Sequence, residues 1–183
     1  MADSSVPPGF GDLLIEEIEL STSADAAIED VEANREAQTA ALDAYLAELL
    51  ATDPEAYGKL VFNNEGGAGA YGCARCHTGG WSWNADGVLA ENPALEGLIE
   101  PEVSGGGGFG PGLLGVADQF TSAGDQGDFI SGGCTPNLQY GTNGVCEPSG
   151  QMPGFGPTST DLEGAVLTDE QIAAVVAYER GLE

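Results

Sequence analysis

The sequence predicts an all-α fold, and three segments predict it. A long helical pattern runs from about residue 23 to residue 52, with Ile28, Val31, Leu42, Tyr45, Leu46 and Leu49 on roughly one face and Arg35 and Gln38 interrupting it. Asp53-Pro54 then offers an N-cap followed by proline at the first helical position, so a second helix starts there. The last helix begins with Thr168 as N-cap and places Asp169 and Glu170 in its first turn. Its residues Ile172, Val175, Val176 and Tyr178 form a partly helical apolar stripe, and Arg180 suits the C-terminal end of the dipole. Long glycine-rich loops fill the remainder.

At 183 residues the chain holds one domain plus an extension. Residues 1–52 read as an acidic N-terminal extension and residues 53–183 as the domain. Within the extension, Leu13-Leu14-Ile15-Glu16-Glu17-Ile18-Glu19-Leu20 is a short apolar-acidic segment. Residues 1–22 are expected to act as a tether. The second half of the helix that follows is expected to pack as an amphipathic helix on the domain, the competing role being a stalk or docking helix. Inside the second helix, Gly58 costs helix stability, so another helix is expected to cross closely at that point.

The most informative stretch is Cys73-Ala74-Arg75-Cys76-His77. Cysteines at i and i+3 present their sulfurs on one helical face, where both can form thioethers to porphyrin vinyl groups. The histidine that follows is placed to ligate the iron from the same side. The motif therefore points to one haem c, anchored by Cys73 and Cys76 and ligated by His77. His77 is the chain's only histidine, so any chemistry that needs imidazole must use it. The competing readings are a zinc knuckle and a redox dithiol. A closed zinc site needs four ligands, usually in two close pairs, and Cys134 and Cys146 are far apart and form no second Cys-x-x-Cys. A thioredoxin-type site needs a strand before its helix, and none is evident.

Met152 is the only internal methionine, set in the Gly/Pro-rich loop Ser149-Gly150-Gln151-Met152-Pro153-Gly154-Phe155-Gly156-Pro157. A core-filling methionine does not usually lie in such a loop, whereas a ligand that reaches a metal from a shaped loop does. Met152 is the expected second axial ligand opposite His77; a neutral thioether favours Fe(II) and raises the potential. The alternative is a Met152 packed on the haem edge.

These features together resemble the class I, mitochondrial-like cytochrome c family, especially its bacterial members. Gly58-Lys59-Leu60-Val61-Phe62 fits that family's Gly-x-x-x-aromatic helix. Gly110-Pro111-Gly112-Leu113-Leu114-Gly115 fits its Gly-Pro-x-Leu-x-Gly segment. The Met152 loop and residues 167–178 look like the family's end. The resemblance covers residues 54–183. It implies a cytochrome c fold around one covalently attached haem, a Pro111 carbonyl that accepts a hydrogen bond from His77, and a Tyr178 packed over the glycine of the first domain helix.

Two features depart from the family. Thirty-three residues separate His77 from Pro111, an interval that reads as an inserted loop holding Trp81-Ser82-Trp83 and glycines 105–108. Packing is the expected role of both tryptophans, a hydrogen bond to a haem propionate being the alternative. The glycine run lacks the Lys-Ser/Thr of a phosphate cradle and reads as a linker or tight loop. The second departure is the Cys134–Cys146 segment. With two cysteines taken by haem, a disulfide between Cys134 and Cys146 is the simplest account, worth about 2–3 kcal/mol in the chain-entropy model and bracing the segment before Met152. Two free thiols are the alternative.

Thirty acids against four bases give a formal charge of −26. Nucleic acid and anionic membrane surfaces are thereby excluded as natural partners, and a redox protein with a basic docking surface is favoured. A solvated surface suited to a salty or acidic habitat is the equal alternative. Haem attachment and a disulfide both imply an extracytoplasmic place, periplasmic or on the outer face of the membrane. Residues 1–8 carry no export signal, so a signal peptide, membrane anchor or larger partner domain is expected to have been removed. The expected function is single-electron transfer between extracytoplasmic redox proteins, without enzymatic activity. The alternatives are an electron-entry domain of a larger respiratory enzyme, a haem sensor or peroxidase if Met152 leaves the iron, and an assembly module built on residues 1–52.

Overall fold

The computed structural model describes residues 24–64, 72–148, 152–159, 161–162 and 167–183. The expected tether over residues 1–22, including the apolar-acidic segment, and the first part of the Met152 loop, residues 149–151, lie outside the described residues. The chain separates into two compact units, Met1–Glu48 and Leu49–Glu183. Regular structure is mostly helical, as an all-α chain requires. The exception is a two-residue hairpin.

Helix α1 covers Ala24–Thr52. Leu46 is buried, but Ile28 and Val31 are 56% and 66% exposed. The apolar face expected along the whole helix is therefore a buried face only toward its C-terminal half. Arg35 and Gln38, both charged or polar, interrupt the stripe at the point where it fails.

In the second unit, α2 spans Pro54–Asn63. Asp53 caps it by accepting from the Ala56 N–H at 3.0 Å, with Pro54 where a missing N–H costs nothing. The final helix α7, Asp169–Arg180, opens with a full capping box. The Thr168 hydroxyl accepts from Gln171 N at 3.2 Å, and the Gln171 side chain accepts from Thr168 N at 2.9 Å. These two helices cross at Gly58. A Cβ there would run into the Ala174 carbonyl, so only glycine lets the backbones meet. Around the crossing, Val61, Phe62, Ala174 and Val175 are almost wholly buried. Phe62 and Tyr178 meet edge-on with centroids 5.3 Å apart, and Gln171 donates to the Tyr57 hydroxyl at 2.7 Å.

Helix α3 is the single turn Ala74–His77, and α4 and α5 are the short helices Ala85–Glu91 and Val116–Gln119. Helix α6, Ala123–Gly132, is capped by Ser122 and packs its buried Gln126 and Ile130 toward α7. The interval between His77 and Pro111 is not the single loop expected. It contains α4 and two 3-10 turns, Trp81–Trp83 and Pro93–Leu95. The segment is folded back by reciprocal bonds: Glu102 N donates to Asp86 at 2.8 Å and Asp86 N to Glu102 at 3.4 Å. Trp81 packs on the Phe62, Ala74 and Tyr178 cluster, but Trp83 is 52% exposed and is not the packing residue expected. The two-residue offset within the tight turn sends the two rings in different directions.

Strands β1, Gln139–Tyr140, and β2, Gly144–Val145, pair antiparallel inside the Cys134–Cys146 segment. That segment is thus a hairpin rather than an irregular loop. Phe120, Phe129 and Tyr140 cluster beside it, with Phe129 and Tyr140 centroids 4.5 Å apart.

Gly58→Ala tests the crossing. The substitution gains about 1 kcal/mol of helix propensity and loses about 1–3 kcal/mol to a collision with backbone that no rotamer change relieves. A lowered urea midpoint is expected. A raised midpoint would overturn the close approach.

Candidate functional site

The Cys73–His77 motif is one turn of helix, closed by Cys76 N to Cys73 O at 3.1 Å and His77 N to Cys73 O at 3.0 Å. Helical geometry puts the two thiols on one face one turn apart. Cys73 is half-buried, Cys76 is exposed and both are free, while Ala74 between them is fully buried. The small residue thus seats the turn on Phe62 and Tyr178, with Cys73 packed against the same cluster and Cys76 outward of it.

His77 is buried, and its Nδ1 lies 2.8 Å from the Pro111 carbonyl oxygen. A carbonyl only accepts, so Nδ1 carries the proton and the ring's lone pair sits on Nε2. Burial pushes the imidazole below its ordinary 6.5, opposed by the Pro111 bond, which favours the charged ring. The neutral ring is the form that ligates a metal. Gly110 leaves room for it: a Cβ there would stand 2.7 Å from His77 Cε1 and 2.9 Å from Nδ1.

The glycine run at 105–108 does more than link. Gly107 N donates to the His77 carbonyl at 2.9 Å, Gly110 N to the Cys76 carbonyl at 2.7 Å, and Gly105 N to Thr78 Oγ1 at 3.2 Å. The loop therefore satisfies the orphan carbonyls at the end of the α3 turn while presenting Pro111 to the ring. Composition alone marked these residues as a turn; their pairing partner is set by the fold.

Met152 is half-buried, and its carbonyl accepts from Cys134 N at 2.8 Å. Cys134 and Cys146 are joined as a disulfide, with Cα atoms 5.6 Å apart. The segment after Met152 runs along the end of α6, where Phe155 N donates to Ile130 O and Gly156 N to Ser131 O, both at 3.0 Å. Two of the expected pairs thus come together: His77 with Pro111 on the 105–115 loop, and Met152 with the disulfide at the end of α6. Tyr178 meets Phe62 edge-on, and its hydroxyl shares a 2.8 Å hydrogen bond with Ser104.

Sequence reasoning missed a buried polar group beside the motif. Glu179 is 5% exposed and accepts from Gln126 Nε2 at 2.9 Å. Gln126, 1% exposed, accepts in turn from Arg180 Nη1 at 3.3 Å, and that nitrogen also donates to Phe120 O at 2.8 Å. Arg180 therefore bonds across to α6 and α5's end, beyond the dipole role its position suggested. Burial raises the Glu179 carboxyl to about 7, against the opposing Gln126 bond. Burial, and then the Glu179 charge, push the Cys73 thiol up to about 12. A continuous helical stripe with one acid in it was the available signal.

Several chemistries are disfavoured by this arrangement. A dithiol exchange site needs a thiolate, and Cys73 is held neutral. Cys134 and Cys146, the cysteines a zinc site would recruit, are consumed by their disulfide. Among the described residues no group of three or more His, Cys, Asp or Glu side chains is arranged to hold a bare metal ion. No helix among them is long and apolar enough to cross a membrane. No protein-family model, curated protein or solved structure matches the chain.

Glu179 gives a pH prediction for stability. Its folded value, about 7, lies above the ordinary 4.5, so between these values the folded chain holds more protons than the unfolded one. Its contribution is therefore most favourable below the lower value and declines as pH rises to the higher, by on the order of 3 kcal/mol in total. Urea unfolding of wild type and Glu179→Gln across that window should show the variant gaining on wild type as pH rises. A constant difference would mean that Glu179 keeps its ordinary affinity.

Proposed function

We propose that this chain is a monohaem cytochrome c domain of the class I type, carrying single electrons between extracytoplasmic redox proteins. The observation that carries this reading is the His77 clamp: a buried neutral imidazole directly after two free thiols, its Nδ1–H given to Pro111 and its Nε2 lone pair left for iron. A ligating histidine uses such a hydrogen bond from its other ring nitrogen to fix its tautomer and ring plane.

Cys73 and Cys76 would each add a thiol across a porphyrin vinyl group, forming one C–S bond and delivering the thiol hydrogen to the neighbouring carbon. His77 and Met152 would hold the iron, Met152 from its disulfide-braced segment. Bound there, haem c would supply a one-electron Fe(III)/Fe(II) couple, its potential raised by the neutral Met152 thioether. Pro111 and Gly110 hold the imidazole in orientation. The acidic surface steers a basic partner and exerts less pull as salt rises. The disulfide supports an oxidising compartment. An electron-entry domain of a larger respiratory complex would use the same site, with residues 1–52 as its tether.

The test is an optical spectrum of protein matured with haem c machinery. A covalent c-type spectrum with the Met-sulfur-to-Fe(III) charge-transfer band is expected, and Met152→Ala should abolish the band and keep the covalent haem. A covalent high-spin spectrum in wild type would remove Met152 as a ligand and put a sensor or peroxidase in place of the electron carrier. Absence of covalent haem would overturn the proposal.

A further inference from the structure

We propose that Glu179 is a redox-linked proton site: the domain binds one proton at this carboxylate as it takes up an electron, and releases it on oxidation. The inference rests on the haem reading above and concerns what the α7 side of that site adds to it.

Geometry makes the case. Glu179 is the residue after Tyr178, which packs with Phe62 and Ala74 against Cys73, and its own side chain is buried against Gln126 of α6. It is close enough to the turn for the Glu179 charge to act on the Cys73 sulfur. The carboxylate has one neutral hydrogen-bond donor, Gln126, and no direct ion pair is needed to satisfy it. The nearest guanidinium, Arg180, is spent on Gln126 and the Phe120 carbonyl. The charged residues of the helices packed on α7, Glu55 and Lys59 on α2, Asp118 on α5, and Asp125 and Asp128 on α6, are exposed, although the Glu55 carboxylate lies beside Gly181 at the end of α7. Glu179 is thus a poorly solvated carboxylate balanced between its two protonation states, as its displaced proton affinity near neutral pH also indicates.

Such a group responds to any charge change placed beside it in a low-dielectric setting. One electron arriving from the donor protein makes the neighbourhood more negative, so the reduced domain holds a proton on Glu179 more tightly than the oxidised one. The balance is one electron from the donor and one proton from solvent inward, and the same pair outward. By linkage, tighter proton binding in the reduced state means a midpoint potential that falls as pH rises, over the interval between the oxidised-state and reduced-state affinities. A tenfold difference between those affinities corresponds to a total change of about 59 mV for one electron.

The experiment is a potentiometric titration of the full-length haem-loaded protein from mildly acidic to mildly alkaline pH, with redox-difference infrared spectra at each pH. In wild type the midpoint should fall through the neutral range, and a protonated-carboxyl C=O band should appear on reduction. Glu179→Gln should remove that band and flatten the slope, holding the potential near the wild-type low-pH value. Gln126→Leu, which deletes the donor that favours the ionised carboxylate, should move the falling interval to higher pH. A wild-type midpoint independent of pH, or a slope and band unchanged in Glu179→Gln, would overturn the proton site while leaving the electron carrier intact. A preparation without covalent haem would overturn both, and the optical spectrum separates the two failures before any titration begins.

Discussion

The second unit is organised by the approach of two backbones at Gly58. Because no Cβ intervenes, α2 and α7 come close enough for the Ala174 carbonyl to occupy the space a side chain would fill. The floor beneath the Cys73–His77 turn is positioned from that contact. It sets Phe62 against Tyr178, and that pair forms the floor on which Ala74, Cys73 and Trp81 rest. It also fixes the outward order of α7, so that the residue after Tyr178 meets Gln126 on α6 instead of water. A substitution of one methyl group at position 58 would thus act on the Cys73–His77 turn without touching it.

The Cys73–His77 turn is too short to hold itself. Four residues of helix leave most of their carbonyls without helical partners, and the loop at 105–111 supplies them from outside. The glycines serve two ends. They let the loop backbone reach the Cys76 and His77 carbonyls, and at Gly110 they leave space for the imidazole itself. Pro111 then offers a carbonyl in a segment whose backbone is already committed. The single histidine is therefore oriented by residues more than thirty positions away, through main-chain bonds that depend little on side-chain chemistry.

Helix starts were legible because capping chemistry is local: Asp53-Pro54 and Thr168 mark α2 and α7 to the residue. The close crossing was legible from Gly58 because an unfavoured residue in a helix needs a reason. The His77 to Pro111 contact was legible only through the family resemblance, and the Cys134 to Cys146 bond by counting the cysteines that the motif left over. What stayed hidden depends on tertiary partners. Helix α6 contains three glycines in ten residues and has little propensity of its own; its packing on α7 stabilises it. The hairpin inside the disulfide loop is two residues a side, below the length at which alternation can be seen. Glu179 sits in a stripe whose period gives its direction, but only the arrival of Gln126 makes burying a carboxylate tolerable.

The acids of this chain fall into two physical kinds. Nearly all the described ones are exposed, and at physiological salt their individual influence fades within about 8 Å, so they act collectively, on how partners approach. Glu179 is shielded from that screening and acts on its immediate neighbours alone. A mutation that neutralises a surface carboxylate should therefore alter association rate and salt dependence, whereas the buried one sets local proton affinity and is insensitive to ionic strength. Net charge and site electrostatics are separable in this protein because the fold keeps one carboxylate out of reach of the solvent that governs the rest.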